Sequence, residues 1–198
     1  MHNYFSKIKL FLIFSLLLFS GCDLLTTRNA EDPETGRSSY IVATTPDQLF
    51  TNLKNSFSEK VEKDYSSNFV DSSFLKIDYK FVPSSEAIVK FNILTEWNLE
   101  AEKAYFKNLI NSVDENKQIV LNLQEISRSV EGTTANLNYD YSITLPIETE
   151  GLPNFYKGNS FFKINLDDNN QWVITEWIDN KSEDFPSWSE LKGRFYLF

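Results

Sequence analysis

The sequence predicts an α+β domain in which N-terminal helices pack on an antiparallel sheet. Two observations support this fold class. Between residues 49 and 57, and again between residues 101 and 109, apolar side chains recur at helical spacing. Between residues 119 and 178, apolar and polar residues alternate in runs that short polar connections separate, a pattern typical of antiparallel hairpins. Helices followed by a meander of strands form an α+β domain with the helices on one face of the sheet.

The first predicted helix begins at Thr45-Pro46-Asp47, with Thr45 as N-cap and Pro46 at the first helical position. Its apolar stripe is Leu49, Phe50, Leu53 and Phe57. A second short helix is expected over 61–69.

Alternation predicts a strand over 74–81, which Pro83 ends. Ser84 or Ser85 is expected to cap one or two helical turns. Asn98 caps a clearer helix, in which Ala101, Tyr105 and Leu109 share a face.

The sheet is predicted from the remaining alternating runs, at 119–124, 134–147, 162–166 and 172–178, with a turn at 167–170. The run 134–147 alternates most regularly, as a half-buried strand does. It predicts one buried face and one wetter face that includes Asn138 and Asp140. The buried face is expected to contain Leu137, Tyr139, Tyr141 and Ile143.

The C-terminal stretch FPSWSELKGRFYLF, 185–198, predicts a helical turn that Ser187 caps and Gly193 ends. The stretch then continues, after Arg194, with four apolar residues, Phe195, Tyr196, Leu197 and Phe198. Exposed together they would form an adhesive patch, so we expect them either to pack on the domain or to contact a partner.

The N-terminal stretch LLLFSGCDLL, 16–25, contains the only cysteine of the chain. Lys7 and Lys9 precede an apolar run at 10–19 that is too short to span a bilayer, and a small pair precedes Cys22, as in a secretory signal. The arrangement resembles the lipobox of bacterial lipoproteins, although Phe19 stands where that family more often has Leu. The resemblance implies cleavage after residue 21 and a diacylglycerol on Cys22. The alternative is an ordinary signal peptide with a chance cysteine.

The mature chain would be acidic. Removal of 1–21, which carries two lysines and no acid, changes the formal net charge from −9 to −11. This composition disfavours nucleic acid and electrostatic docking on anionic lipid. The expected membrane contact is therefore made by the acyl chains on Cys22, which places the protein in the bacterial cell envelope. The outer membrane is favoured over the inner one, and the side of the membrane is left open.

Loss of the signal also removes His2, the only histidine. With Cys22 acylated, no imidazole and no thiol would remain. Histidine-paired nucleophiles and histidine or thiolate metal sites are thereby excluded, and we predict no metal or cofactor. Any chemistry would use carboxylates, tyrosines or lysines.

Residues 22–45 mix proline, glycine, charges and hydroxyls without a period, which indicates a lipidated tether before a single domain at 46–198. The alternative is that Tyr40-Ile41-Val42 packs on the domain as an extended arm.

The order of elements resembles the nuclear transport factor 2-like superfamily over about residues 46–180. The resemblance rests on helices, a short strand, a helix near the tryptophan of TEWNLEAEKAYF (95–106), and hairpins ending in QWVITEWID (171–179). It implies a strongly curved sheet wrapped around helices as a cone with a pocket. The superfamily includes isomerases, dehydratases and binding modules, so it implies no single function. Its enzymes often use an Asp with a His or Tyr, and the mature chain has no His to match. We therefore assign no catalytic residue.

One carboxylate is a candidate pocket acid. Glu176 alternates with Trp172, Ile174 and Ile178, which would place it among apolar neighbours and raise its pKa. Alternatively, Glu176 pairs with a Lys or Arg, or lies at a wet rim. Aromatic residues that either line the pocket or form plain core are Trp97, Tyr105, Tyr139, Tyr141, Trp172 and Trp177.

Two functions remain open from the sequence. The first is a non-catalytic, lipid-anchored module that binds a small apolar ligand or another envelope protein. The second is an enzyme of the isomerase or dehydratase kind that uses a pocket carboxylate and tyrosines. An open aromatic cavity with an unpaired acid would favour the enzyme, and an interior filled by side chains would favour the module.

Overall fold

The protein is described by a computed structural model that covers residues 38–182 and 184–197. The predicted signal, Cys22, most of the tether and the last residue lie outside the described residues. Within this part the helices are α1 (Pro46–Glu59), α2 (Glu62–Ser66), α3 (Ser85–Lys90), α4 (Leu99–Asn111) and α5 (Trp188–Tyr196), with a 3-10 helix at Asn92–Glu96. The strands are β1 (Lys80–Val82), β2 (Val120–Glu131), β3 (Thr134–Thr144), β4 (Phe155–Leu166) and β5 (Trp172–Lys181).

The strands form one curved sheet in the order β1-β5-β4-β3-β2. The four long strands are antiparallel, as predicted. The short β1 is the exception, because it pairs in parallel with β5. The pairing register shifts between Glu125 and Ser127 and again between Lys163 and Ile164. Such bulges bend and twist a sheet locally.

The strand predicted over 74–81 is mostly absent, and only 80–82 joins the sheet. The chain turns at Asp71, whose carbonyl oxygen accepts N–H bonds from Phe74 and Leu75 at 3.0 and 3.1 Å. Phe74 and Ile77 are consequently exposed. Alternation was an insufficient signal here because a strand also needs a neighbour with which to pair.

The predicted N-caps Thr45, Asn98 and Ser187 are confirmed by side-chain bonds, whereas Ser84 precedes its helix without one. Thr45 Oγ1 accepts the N–H of Gln48 at 3.2 Å, and Asn98 Oδ1 accepts the N–H of Ala101 at 2.9 Å. Such caps satisfy backbone donors that the first helical turn leaves without partners. The second helix is shorter than the predicted 61–69.

The C-terminal helix runs past Gly193, where we predicted it to end, and continues to Tyr196. A Cβ atom at position 193 would lie 2.4 Å from Phe91 Cγ. Glycine is present there because it lets Phe91 approach the helix, not because it ends the helix. The tail packs on the domain through the fully buried Phe195, while Leu197 stays exposed.

The core lies between the helices and one face of the sheet, a space called the interior below. The predicted face of β3 is confirmed, because Leu137, Tyr139, Tyr141 and Ile143 are buried and Asp140 is exposed. Helices cover this face with large aromatic side chains. The Trp188 ring of α5, for example, lies 4.4 Å from the Trp177 ring of β5, centroid to centroid.

Residues before α1 pack on the domain as an extended arm. The Asn52 side chain accepts the N–H of Ile41 at 3.3 Å and donates to its carbonyl oxygen at 2.6 Å. The Ala43 carbonyl oxygen accepts the N–H of Trp172 at 2.8 Å. The described domain therefore includes residues 38–45 as well as the helices and strands.

Candidate functional site

Glu176, the predicted pocket acid, lies on the outer face of the sheet. Ile164 pairs with Ile174 and Lys163 pairs with Glu176, so Thr175 is an extra residue in β5. This bulge reverses the alternation, and Glu176 pairs with Lys80 at 2.6 Å with a quarter of its side chain exposed. Of the alternatives for Glu176, the structure has the one in which it pairs with a lysine. Trp177 and Asp179 point to the core instead.

The predicted aromatic residues are all buried, but they do not line one common cavity. Trp97 and Tyr105 lie together in the interior, with ring centroids 6.3 Å apart. Tyr139 packs on Phe50 of α1. Of the remaining three, Tyr141 and Trp177 both pack on Trp188, whereas Trp172 lies beside the arm at Ala43.

A buried carboxylate occupies the interior. Glu102 of α4 is fully buried, and its carboxylate accepts hydrogen bonds from four side chains. The Tyr65 hydroxyl donates to its Oε1 at 2.5 Å, and three donors reach its Oε2: the Tyr79 hydroxyl at 2.9 Å, the Trp97 indole N–H at 2.7 Å and the Lys192 ammonium at 2.7 Å. These five residues are called the Glu102 cluster. Because each oxygen has a donor, the cost of burying the carboxylate is largely offset.

Lys192, from α5, is also fully buried. Its Nζ lies 3.5 Å from the centroid of the Trp177 ring and 3.6 Å from that of the Phe81 ring. Aromatic rings in such contact attract a cation through their quadrupoles. Burial nevertheless lowers the pKa of Lys192 to about 8, while Glu102 acts in the opposite direction. At neutral pH the interior therefore holds an ammonium ion that is paired with a carboxylate.

The tyrosines of the cluster act as hydrogen-bond donors. Burial, followed by the nearby charge of Glu102, raises the pKa of Tyr65 and Tyr79 well above the usual range. Both hydroxyls therefore keep their protons at any physiological pH. The arrangement contains the side-chain types of an acid–base site, but its carboxylate is saturated and its tyrosines cannot act as bases.

A second buried acid, Asp179, holds the start of α5. Its Oδ2 accepts the Ser189 N–H at 2.7 Å and the Ser189 hydroxyl at 2.5 Å, and its Oδ1 accepts the Tyr141 hydroxyl at 2.8 Å. Burial raises the pKa of Asp179, whereas the Ser189 and Tyr141 donors lower it. A carboxylate at a helix N-terminus is favourably placed, so Asp179 fixes α5 against the sheet.

Sequence reasoning missed these buried charges, although a periodic signal was present. Glu102 precedes Tyr105, Phe106 and Leu109 by three, four and seven positions, which places it on the apolar stripe of α4. Lys192 would also have been placed on an apolar stripe if the predicted C-terminal helix had extended past Gly193. A charged residue on an apolar stripe is a signal for a buried ion pair.

An open cleft of about 610 Å³ lies outside the interior and is called the lateral cleft below. The arm, the segment after α2, the start of α4 and the β4–β5 turn surround it. Its lining includes Tyr40, Phe69, Asp71, Phe74, Glu100, Lys103, Asp167 and Gln171. No predicted pocket residue lines this cleft.

Among residues 38–182 and 184–197, no helix has the length and apolar character needed to cross a membrane. The same residues include no group of three or more Cys, His, Asp or Glu side chains placed to bind a metal ion.

No family model matches the chain, and no curated protein is detectably related to it. Solved structures do resemble it. A conserved protein from Planctomyces limnophilus has a TM-score of 0.53 at 10% identity, over 69% of this chain and 92% of that one. A protein provisionally assigned as a scytalone dehydratase, from Novosphingobium aromaticivorans, has a TM-score of 0.52 at 12% identity, over 69% and 80%. An NTF2-like protein of unknown function from Pseudomonas putida has a TM-score of 0.49 at 9% identity, over 70% and 84%.

The domain has the nuclear transport factor 2-like fold. The sequence resemblance to that superfamily is therefore confirmed at the level of the fold. Identities this low carry no information about activity, and proteins of one fold perform many functions. In this domain, the charged pair and the aromatic side chains described above occupy the interior.

Proposed function

We propose that the protein is a lipoprotein of the bacterial cell envelope and that its NTF2-like domain is a non-catalytic binding or interaction module. Acyl chains on Cys22 hold it at the membrane, with the outer membrane favoured. The anchor rests on the sequence around Cys22. The non-catalytic role rests on one observation, the Glu102–Lys192 pair, which is fully buried among aromatic rings in the interior.

The enzyme alternative requires an open cavity and an acid that is free to exchange protons. Glu102 is the interior carboxylate best placed to act, and two tyrosines contact it. However, Lys192 neutralises its charge and four donors saturate its oxygens. A substrate would have to displace Lys192 and the helix that carries it. These features support a module over an isomerase or dehydratase, and they also argue against a small apolar ligand in the interior.

Acyl labelling tests the anchor. Wild-type protein expressed with an alkyne-bearing fatty acid should be labelled and should fractionate with membranes. Cys22→Ala should remain an unlabelled, unprocessed precursor. Phe19→Leu, which makes the signal more typical of the family, is the matched control and should be labelled like the wild type. Cleaved, soluble and unlabelled wild-type protein would refute the anchor.

Hydrogen exchange tests whether the interior is filled. The Trp97 indole N–H is bonded to the fully buried Glu102, so we expect it to exchange only when the domain unfolds. Its exchange free energy should therefore equal the global free energy of unfolding. Exchange through a local opening whose free energy is several kcal/mol below the free energy of unfolding would show that the interior is accessible. That result would favour the enzyme.

A further inference from the structure

The lateral cleft has the size of a ligand site and a lining of mixed character. Its volume of about 610 Å³ lies within the range of roughly 300–1,000 Å³ that is usual for small-molecule pockets. Buried apolar side chains, Phe69 and Val70 among them, lie on one side. Carboxylates, amides and hydroxyls line the rest.

Two of the carboxylates are held in place by the backbone. Asp167 Oδ1 accepts the N–H groups of Asn169 and Gln171, each at 2.9 Å, while no donor among the described residues engages Oδ2. Asp71 Oδ1 accepts the N–H of Ser73 at 2.8 Å, and this bond lowers the pKa of Asp71. Asp71 is therefore an ionised acceptor at neutral pH, and the backbone bonds hold both carboxyl groups in a fixed orientation. Ionised acceptors form hydrogen bonds roughly twice as strong as those of neutral acceptors.

The aromatic side chains of the rim leave ring surface open to the cleft. Phe74 is 45% exposed, although it is a large apolar residue, and Tyr40 is half-buried. Neither ring stacks on another ring of the described residues. A ligand with one apolar face and a rim of donors would cover these rings and reach the carboxylates at the same time.

The charge of the cleft restricts the ligand. Asp71, Glu100 and Asp167 line it, and the facing cation, Lys103, pairs with Glu100 at 2.9 Å. Phosphorylated or carboxylated ligands would therefore be repelled. A pyranose ring fits the remaining requirements, because its C–H groups form an apolar face and its hydroxyls donate around the edge.

We propose that the lateral cleft binds a neutral saccharide of about one or two sugar rings. The C–H face of a ring packs on Phe74 and Tyr40, and its hydroxyls donate to Asp71 and Asp167. This inference deepens the proposed binding module by naming the class of its ligand.

A glycan array tests this proposal on the detergent-solubilised mature protein, followed by titration calorimetry of the glycans that it retains. Neutral glycans should be retained, and acidic glycans of the same backbone should not. Phe74→Ala and Asp167→Asn should each weaken binding about tenfold or more, which corresponds to one charge-assisted hydrogen bond or one ring contact. Asn at 167 can still accept the two turn N–H bonds, so the fold is retained.

Matched controls remove the same groups elsewhere. Phe185→Ala truncates an aromatic residue of similar exposure, 39%, and Asp140→Asn removes an exposed acid from the outer face of the sheet. Neither should change affinity by more than about twofold, the effect expected of surface substitutions away from a site.

Three results would overturn the proposal. One is an array that retains no neutral glycan. Another is binding that survives both cleft substitutions. The third is binding of spermidine, but of no neutral glycan, that Asp167→Asn weakens, because the acids would then recognise a cation. None of these results bears on the acylation of Cys22, so failure of the ligand assignment is distinguishable from failure of the anchor.

Discussion

The buried Glu102–Lys192 pair predicts a strongly coupled double-mutant cycle. Both side chains are fully buried and their charged atoms lie 2.7 Å apart. Removing one partner from such a pair leaves an uncompensated buried charge, which costs about 3–5 kcal/mol. We therefore expect Glu102→Gln, which keeps the size of the side chain and strands the ammonium, to destabilise the domain by about that amount. Lys192→Met, which strands the carboxylate, should cost somewhat less, because three neutral donors still contact Glu102.

The double variant Glu102→Gln/Lys192→Met should be more stable than the sum of the single losses predicts. It contains neither stranded charge, so we expect a coupling free energy of about 2 kcal/mol or more between the two positions. Urea unfolding followed by tryptophan fluorescence measures the free energy of unfolding of the wild type and the three variants. The signal is suitable because Trp97 belongs to the Glu102 cluster and the Trp177 ring contacts Lys192. Strictly additive losses, or single losses below about 1 kcal/mol, would show that the pair is not ionised and buried as described.

The same lysine predicts a dependence of stability on pH. Burial lowers the pKa of Lys192 to about 8 in the folded protein, against about 10.4 in an unfolded chain. Between these values the unfolded chain binds a proton that the folded protein does not, so the stability contributed by Lys192 rises with pH. From pH 7.5 to 9.5 the wild type should gain about 2 kcal/mol relative to Lys192→Met. An equal response of the two proteins would contradict the lowered pKa.

Three further substitutions test the packing, each by urea unfolding. Leu137→Ala should cost about 2–5 kcal/mol because the side chain is fully buried, and a loss within error would mean that the face of β3 is misassigned. Gly193→Ala should cost about 1–3 kcal/mol despite the better helix propensity of alanine, because its Cβ would overlap Phe91; a gain in stability would contradict this contact. Glu176→Gln should cost less than about 1 kcal/mol, because its partner is largely exposed; stabilisation by a kcal/mol or more would instead indicate an unpaired buried acid.

Much of the fold could be predicted because its signals are local. Thr45 and Asn98 begin helices through bonds to residues three positions away, and the alternation of β3 depends only on the two faces of a strand. The predictions that failed depended on distant neighbours. Residues 74–79 alternate like a strand but pair with no strand among the described residues, and Gly193 resembles a helix end until Phe91 is placed against it.

The candidate site was predicted less well than the fold for the same reason. The alternation of β5 holds up to Ile174, and the single bulge at Thr175 then exchanges the faces, so the buried acid of the strand is Asp179 and not Glu176. A bulge is decided by the pairing of two strands, and one strand alone does not specify it. Trp97 and Tyr105 lie buried in the interior, but Lys192, which lies near both, is about ninety positions from the acid that it contacts.

The sequence by itself determined the α+β class, the helix starts, the faces of the most regular strand, and the prediction that Cys22 is acylated. Each of these follows from residues within a few positions of one another. Only the tertiary structure decided that a charged pair fills the interior and that a separate cleft opens beside the arm. Both features bring together side chains from distant elements. Whether a carboxylate is free or saturated depends on which donors the completed fold places around it.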